Sequence, residues 1–154
     1  MQMTTEELAK SMAELTCRLS KVCLEKDAYL AAMFNLTPAE FRCLKLFSNT
    51  SQLSIKSLGK ELNLSPGRIT HILTSLENKG FVTRHLDPSD KRNVLVDITA
   101  KCKPFIKNLD ECHLQVHKEI LKIIDPCERD CIIGAMEAVV SAIGQWSESK
   151  GRTN

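Results

Sequence analysis

Aromatic residues, glycine and proline are all scarce in this chain of 154 residues. Aromatic side chains make up 5% of the sequence, beside six glycines and five prolines. Collagen-like and low-complexity chains contain far more glycine and proline, so both classes are excluded. No apolar run approaches the roughly 18 residues of a membrane span, and the N-terminus lacks the apolar core of a secretory signal. We therefore expect a cytoplasmic protein that does not enter a membrane.

Neither sign of charge is in large excess, because the chain has 21 Lys and Arg and 19 Asp and Glu, which gives a net charge of +2. Such a small excess does not by itself indicate a nucleic-acid partner. Hydrophobic residues at 43% and charged residues at 26% are typical of a globular chain, and the length suits one domain over residues 1–154. Only the positions of the charges along the chain can indicate a DNA partner.

Cysteine is the exception, since seven are present: Cys17, Cys23, Cys43, Cys102, Cys112, Cys127 and Cys131. None of their spacings forms a C-x-x-C pair or a zinc-finger pattern. In a cytosolic protein we expect reduced thiols that act as small buried hydrophobic residues. A redox role for one of them is the alternative.

The N-terminal third shows clear helix signals. Thr4 and Glu7 form a capping box, and Thr37, Pro38 and Glu40 form a second one. Behind the first box, apolar residues recur at steps of four and three, broken only by Lys26: Leu8, Met12, Leu15, Leu19, Val22, Tyr29 and Met33. This heptad stripe predicts a long helix that packs against another long helix, for which a second subunit is a candidate.

Two short helices and a hairpin are predicted next. Ser54 caps the first helix, Asn63-Leu64 makes a tight turn, and Ser65-Pro66 caps a second helix that ends at Gly80. Strands are predicted over 81–86 and 93–98. A helix then follows with an apolar stripe of Cys102, Phe105, Leu109, Cys112, Val116 and Ile120. Asp125 is predicted to cap a last helix, which frays from Ser147.

Helix, tight turn, helix and hairpin in this order are typical of a winged helix-turn-helix. The second short helix would enter the major groove with its exposed residues Ser65, Gly67, Arg68, Thr70, His71 and Thr74. These residues are small or form hydrogen bonds, and positions 65–74 contain no carboxylate. Arg68 could donate two hydrogen bonds to guanine, and Gly67 leaves room for close approach. The alternative is that Thr70 and Thr74 are merely solvated.

The turn of the hairpin is rich in charge. Arg92 at its tip is predicted to enter the minor groove. Asp90 is predicted to hold the turn by pairing with an arginine, and Arg84 and Lys91 complete the set assigned to DNA. The alternative is a solvated charged loop.

The segments 64–71, Leu76-Glu77-Asn78-Lys79-Gly80-Phe81-Val82-Thr83-Arg84 and 90–99 closely resemble the multiple-antibiotic-resistance regulator (MarR) family. The resemblance implies a mainly α fold with a small β-hairpin wing, in which dimerisation helices at 1–35 and 100–149 flank a winged helix-turn-helix at 36–99. It implies a homodimeric transcriptional regulator of double-stranded DNA, usually a repressor, released from a palindromic operator by a small ligand or by oxidation. One departure is Cys102, where the family commonly has glycine.

The resemblance also suggests where a signal could be sensed. An effector pocket could be lined by Tyr29, Met33, Phe41, Phe47 and Phe105, with Arg42 as the cation for an anionic aromatic ligand. The alternative is that these residues are plain core. Cys17 is a redox candidate, although it lies about one turn later than the cysteine of peroxide-sensing relatives. Asp110, His113 and His117 share one helical face and form a metal candidate. Polar residues near a dimer interface are the alternative.

Two other classes of protein are less consistent with the sequence. A methyltransferase that dimerises through a winged helix needs a following cofactor domain with a glycine-rich loop, which these 154 residues lack. A winged helix used only for protein contacts would expose acidic or large apolar residues at positions 65–74. We therefore expect no enzyme activity and no cofactor.

Overall fold

The computed structural model describes residues 3–151, so residues 1–2 and 152–154 of the predicted domain lie outside the described residues. The helices are α1 (Thr5–Met33), α2 (Pro38–Lys45), α3 (Ile55–Leu62), α4 (Pro66–Asn78), α5 (Cys102–Ile123) and α6 (Arg129–Gly151), with a 3₁₀ turn at Pro126–Glu128. The strands are β1 (Gln52–Ser54), β2 (Val82–Leu86) and β3 (Val94–Ile98). The predicted fold class, mainly α with a small β wing, is confirmed. None of the described helices is long and apolar enough to span a membrane.

Local capping chemistry sets where the helices begin and end. Both predicted capping boxes are present, and the carboxylates of Glu7 and Glu40 accept the backbone N–H of Thr4 and Thr37 at 2.8 Å. Gly80 follows α4 with a φ of +75°, a left-handed conformation that glycine adopts without strain. These signals lie within a few residues of the ends they fix, and for that reason the sequence predicts them.

The sheet has three antiparallel strands in the order β1-β3-β2. The predicted hairpin of β2 and β3 is present, with Arg84 opposite Val96. Strand β1 was not predicted, because its three residues give too short a pattern to show alternation. At the C-terminal end, Asp125 caps the 3₁₀ turn, and α6 continues past Ser147 to Gly151 where fraying was predicted.

The chain forms two compact units that divide within α5, between His113 and Leu114. The core of the first unit includes Leu30, Phe41, Leu44, Leu58, Ile69, Leu73, Leu76, Val96, Ile106 and Leu109. On α5 the buried stripe passes through Ile106 and not through the predicted Phe105, which is half-buried and stacks on Phe81 with ring centroids 4.4 Å apart. In the second unit, α6 contains no buried residue.

Candidate nucleic-acid interface

The buried face of α4 determines which of its side chains reach solvent. Ile69, Ile72, Leu73 and Leu76 are buried in the first unit. The opposite face therefore exposes Ser65, Gly67, Arg68, Thr70, His71 and Thr74, all predicted from the sequence to contact DNA. Ser65 occupies the N-cap position, but its hydroxyl makes no capping hydrogen bond, which differs from the prediction. That hydroxyl is left on the surface for another partner.

Each threonine hydroxyl of α4 donates its proton within the helix. The hydroxyl of Thr70 donates to the carbonyl of Pro66, and the hydroxyl of Thr74 donates to the carbonyl of Thr70, both at 2.9 Å. Each hydroxyl has a single proton, so the oxygen of Thr70 presents only acceptor capacity to solvent. In the major groove, an acceptor matches the amino group of adenine or cytosine.

Arg84 braces strand β2 against α4. Its guanidinium forms an ion pair with Glu77 and donates to the hydroxyl of Thr74 at 3.2 Å, and its backbone N–H donates to Glu77 at 3.1 Å. The hydrogen bond from Arg84 lowers the pKa of Glu77, and the same bond raises the pKa of Arg84. Because its charge is paired with Glu77, Arg84 stabilises the contact between β2 and α4, and its predicted contact with DNA stays a prediction.

The carboxylate of Asp90 organises the turn between β2 and β3. It accepts the backbone N–H of Arg92 at 3.0 Å and the side-chain amide of Asn93 at 3.3 Å. The predicted pairing with an arginine side chain is therefore replaced by bonds to the turn itself. Within residues 3–151, the exposed side chains of Lys91 and Arg92 make no hydrogen bond or ion pair. Both charges are available to an outside anion.

A groove, here called the wing groove, runs between α3, the N-terminal end of α4 and the start of β3. It has a volume of about 540 Å³, and its lining includes Lys56, Lys60 and Arg92. Lys56 and Lys60 are four residues apart and hence share one face of α3. Neither lysine is among the residues predicted from the sequence to contact DNA, although their spacing on a short helix was a signal that could have identified them.

The five apolar residues predicted to line an effector pocket lie in different surroundings. Tyr29 and Met33 are exposed on α1, whereas Phe41 and Phe47 are fully packed in the core. Phe105 is held between aromatic rings at the base of the wing. These residues do not line a common pocket in the described chain, because the helical face that holds Tyr29 and Met33 points away from the core.

Arg42, the sixth residue of that set, lies in a second groove between the N-terminal end of α2 and α4, here called the α2 groove. Its volume is about 680 Å³, and its lining includes Arg42, Arg68 and His71. The structure thus places the predicted effector cation beside two residues predicted to contact DNA.

The metal candidate is not assembled as predicted. The carboxylate of Asp110 is bound by the ammonium of Lys45 and by the hydroxyl of Ser48, the latter at 2.9 Å, and it therefore faces α2. Among residues 3–151, no group of three or more His, Cys, Asp or Glu side chains could hold a metal ion. Asp110, His113 and His117 therefore do not form a ligand set in this chain.

The cysteines divide into buried and exposed sets. Burial raises the pKa of Cys43 to about 12 and that of Cys102 to about 11, as expected for packing residues. Cys17, Cys127 and Cys131 are exposed, contrary to the prediction of burial. The thiol of Cys127 donates a hydrogen bond to the Asp125 carboxylate, and this bond raises the pKa of Cys127. A raised pKa disfavours the reactive thiolate.

Comparison with known proteins finds similarity to one family of regulators. The model of the MarR family matches residues 36–94, from the start of the winged helix into β3. The transcriptional regulator SarZ of Staphylococcus haemolyticus is 28% identical over 137 residues, which cover 87% of this chain and 90% of SarZ.

Solved structures agree on the fold. The transcriptional regulator BldR from Sulfolobus solfataricus matches with a TM-score of 0.74 at 22% identity, over 91% of this chain and 99% of BldR. Overoxidized AbfR bound to DNA matches with a TM-score of 0.61 at 20% identity, over 88% of this chain and 94% of AbfR. The winged helix, the match of residues 36–94 to the family model and the similarity to SarZ along most of the chain together support a DNA-binding transcriptional regulator of the MarR family.

Proposed function

We propose that this protein is a homodimeric repressor that binds a palindromic operator through α4 and the wing and is released by a small ligand. The basic side chains between residues 36 and 99 fall into two sets, with and without a partner in the chain, and this division supports the proposed DNA-binding surface. Those that form an ion pair within the chain are Lys45, Lys79, Arg84 and His85. Those without a partner in the described chain are Arg42, Lys56, Lys60, Arg68, His71, Lys91 and Arg92. The second set lies on α4, in its two flanking grooves and on the wing, where a polyanion would be bound.

Exposed apolar faces support the homodimer. On α1 the side chains of Leu8, Met12, Leu15, Leu19, Val22, Tyr29 and Met33 are 40% to 64% exposed. On α6 those of Ile133, Met136, Val140, Ile143 and Trp146 are 44% to 70% exposed. Apolar stripes of this length are costly in water, and a second copy would cover them. A two-fold dimer presents two copies of α4, so its operator should be palindromic.

Selection of bound DNA from a random pool tests this proposal. The selected sites should be palindromes with half-sites about one helical turn apart. Arg68→Ala should relax the preference at one base pair per half-site and cost about 1–3 kcal/mol there. Arg92→Ala should weaken binding with little change at major-groove positions. A pool that shows no sequence preference would contradict the proposal, and identical base-preference changes in both variants would contradict the assignment of these two residues.

Repression and release by a small ligand are proposed from the similarity to the MarR family. Tyr29 and Met33 lie exposed at the C-terminal end of α1, where a second copy could complete a pocket around them. A reporter gene behind the selected operator measures the sign of regulation. A panel of aromatic acids, added to the protein bound to its operator, measures release. If the reporter gene were expressed only when the protein is present, the protein would be an activator and the proposed repression would be wrong.

Redox release is the second candidate, because Cys17 is exposed on α1. Hydrogen peroxide would transfer one oxygen to the Cys17 thiolate, which becomes a sulfenic acid as the O–O bond breaks and hydroxide leaves. DNA binding that is lost with peroxide, restored with a thiol reductant and unaffected in Cys17→Ser would favour this candidate. Cys131→Ser is the matched control, since that thiol is exposed on α6. Unchanged affinity in all three proteins would remove redox release and leave the small ligand.

A further inference from the structure

The α2 groove is lined by basic side chains from two helices. Its lining from α2 includes Glu40 and Arg42, and its lining from α4 includes Arg68, His71 and Ser75. Within residues 3–151, the side chains of Arg42, Arg68 and His71 make no hydrogen bond or ion pair. Arginines without an internal partner hold their donors toward solvent, where an oxyanion can accept two parallel hydrogen bonds from each guanidinium.

The carboxylate beside these cations, that of Glu40, already has hydrogen-bond partners within the chain. Among the described residues that line the groove, Glu40 is the one carboxylate, and its side chain is 2% exposed. It accepts hydrogen bonds from the hydroxyl of Ser75 at 2.6 Å and from the ammonium of Lys79 at 2.8 Å. The groove therefore presents donors and positive charge at its surface, without a carboxylate that would repel an anion.

The two grooves flank the exposed face of α4 on different sides. Pro66 and Ile69 line the wing groove, whereas Arg68, His71 and Ser75 line the α2 groove. At 3.6 residues per turn these two sets lie on different sides of the helix. The side chains of Lys56, Lys60 and Arg92 stand on one side of α4 and that of Arg42 on the other.

This arrangement fits the dimensions of DNA. A helix about 10–12 Å across fills a major groove about 12 Å wide, so a sugar-phosphate backbone runs along each of its sides. We propose that the α2 groove binds a backbone phosphate on the side of α4 opposite the wing, with Arg42 as the positioning residue. The inference rests on the proposed insertion of α4 into the major groove. It moves Arg42 from the predicted effector pocket to the DNA interface.

Salt dependence of operator affinity tests the role of Arg42. Each phosphate contact contributes about 0.9 to the slope of log affinity against log salt, so Arg42→Gln should lower the slope by about 1.8 in a dimer. Between about 50 mM and about 200 mM salt, the wild type should then lose about 12-fold more affinity than the variant. The base preference of Arg42→Gln should stay that of the wild type, unlike that of Arg68→Ala.

Lys107→Gln is the matched control, because this exposed lysine on α5 loses the same charge away from α4. A second measurement replaces single operator phosphates by neutral methylphosphonates. Substitution at one position should weaken operator binding by the wild type and leave that of Arg42→Gln unchanged, and the melting temperature of the variant should equal that of the wild type.

An Arg42→Gln slope equal to that of Lys107→Gln would overturn the inference. So would a variant that keeps the slope of the wild type but no longer releases DNA when inorganic sulfate is added, since the groove would then hold a free anion. A wild type without sequence-selective binding would instead overturn the proposed function.

Discussion

Glu40 is a buried carboxylate that ties α2 to the C-terminal half of α4, and its replacement by glutamine removes the charge while keeping the size. The carboxylate accepts hydrogen bonds from Ser75, Lys79 and the backbone N–H of Thr37. A hydrogen bond to a charged group contributes about 1.5–3 kcal/mol. Because the Lys79 side chain is 34% exposed, water recovers part of that loss. We expect Glu40→Gln to lower the free energy of unfolding by about 2 kcal/mol.

The effect should depend on pH in a direction that the contacts determine. Burial raises the pKa of Glu40, but hydrogen bonds from Lys79, Ser75 and the N–H of Thr37 together outweigh burial and hold the pKa below its ordinary value of 4.5. A carboxyl group with a folded pKa below its unfolded pKa stabilises the fold above the unfolded value. That stabilisation is lost as pH falls through the folded pKa. The difference between wild type and Glu40→Gln should therefore shrink in acid.

Thermal unfolding followed by circular dichroism measures both effects. A loss of about 2 kcal/mol corresponds to a decrease of about 4–8 °C in melting temperature for a chain of this size. All samples need one protein concentration, because dimer stability depends on it. Glu61→Gln is the control, since Glu61 is exposed on α3 and has no side-chain partner in the described chain. Equal melting temperatures for the two variants at neutral pH, or a deficit of Glu40→Gln that persists in acid, would refute the reasoning.

Three further outcomes are expected. Leu19→Glu places a charge in the exposed stripe of α1, so it should convert the dimer to monomers of 17.3 kDa in sedimentation; a monomeric wild type at micromolar concentration would remove the proposed dimer. An alkylating reagent should label Cys17 much faster than Cys43 in peptide mass spectrometry, because burial raises the pKa of Cys43 to about 12; equal rates would contradict that burial. NMR titration should place the pKa of His85 above 6.5, because the backbone carbonyl of the next residue and the Asp97 carboxylate stabilise its charged form; an unchanged value in Asp97→Asn would dismiss the pairing with Asp97.

The sequence predicts those parts of the fold that depend on neighbouring residues. The capping box at Thr37 and the left-handed turn at Gly80 each need only a few adjacent positions, and both are present. The same reasoning assigned Glu40 to the capping box alone. Its second role requires Ser75 and Lys79, which lie 35 and 39 residues further along the chain. Periodicity and capping signals contain no information about such a pairing.

The basic residues show the same limit at the interface. Arg84 has the residue type of a phosphate contact, yet Glu77 pairs with it across the junction of α4 and β2. Arg42 stands on α2 among apolar positions, and its neighbours Arg68 and His71 come from another helix. Residue type predicts which side chains are able to bind DNA. Which charges remain unpaired depends on the tertiary fold, and the structure supplies that part.

Gly67 has a consequence for the adaptation of this protein. A methyl group at this position would meet nothing within 4 Å, so the fold itself does not require glycine in the first turn of α4. Alanine is favoured over glycine within a helix by roughly 1 kcal/mol. Screening for heat resistance should therefore enrich Gly67→Ala, whereas screening for operator occupancy should discard it if a base pair takes the vacant space. At this position selection for thermostability would favour alanine, whereas selection for regulation would favour glycine.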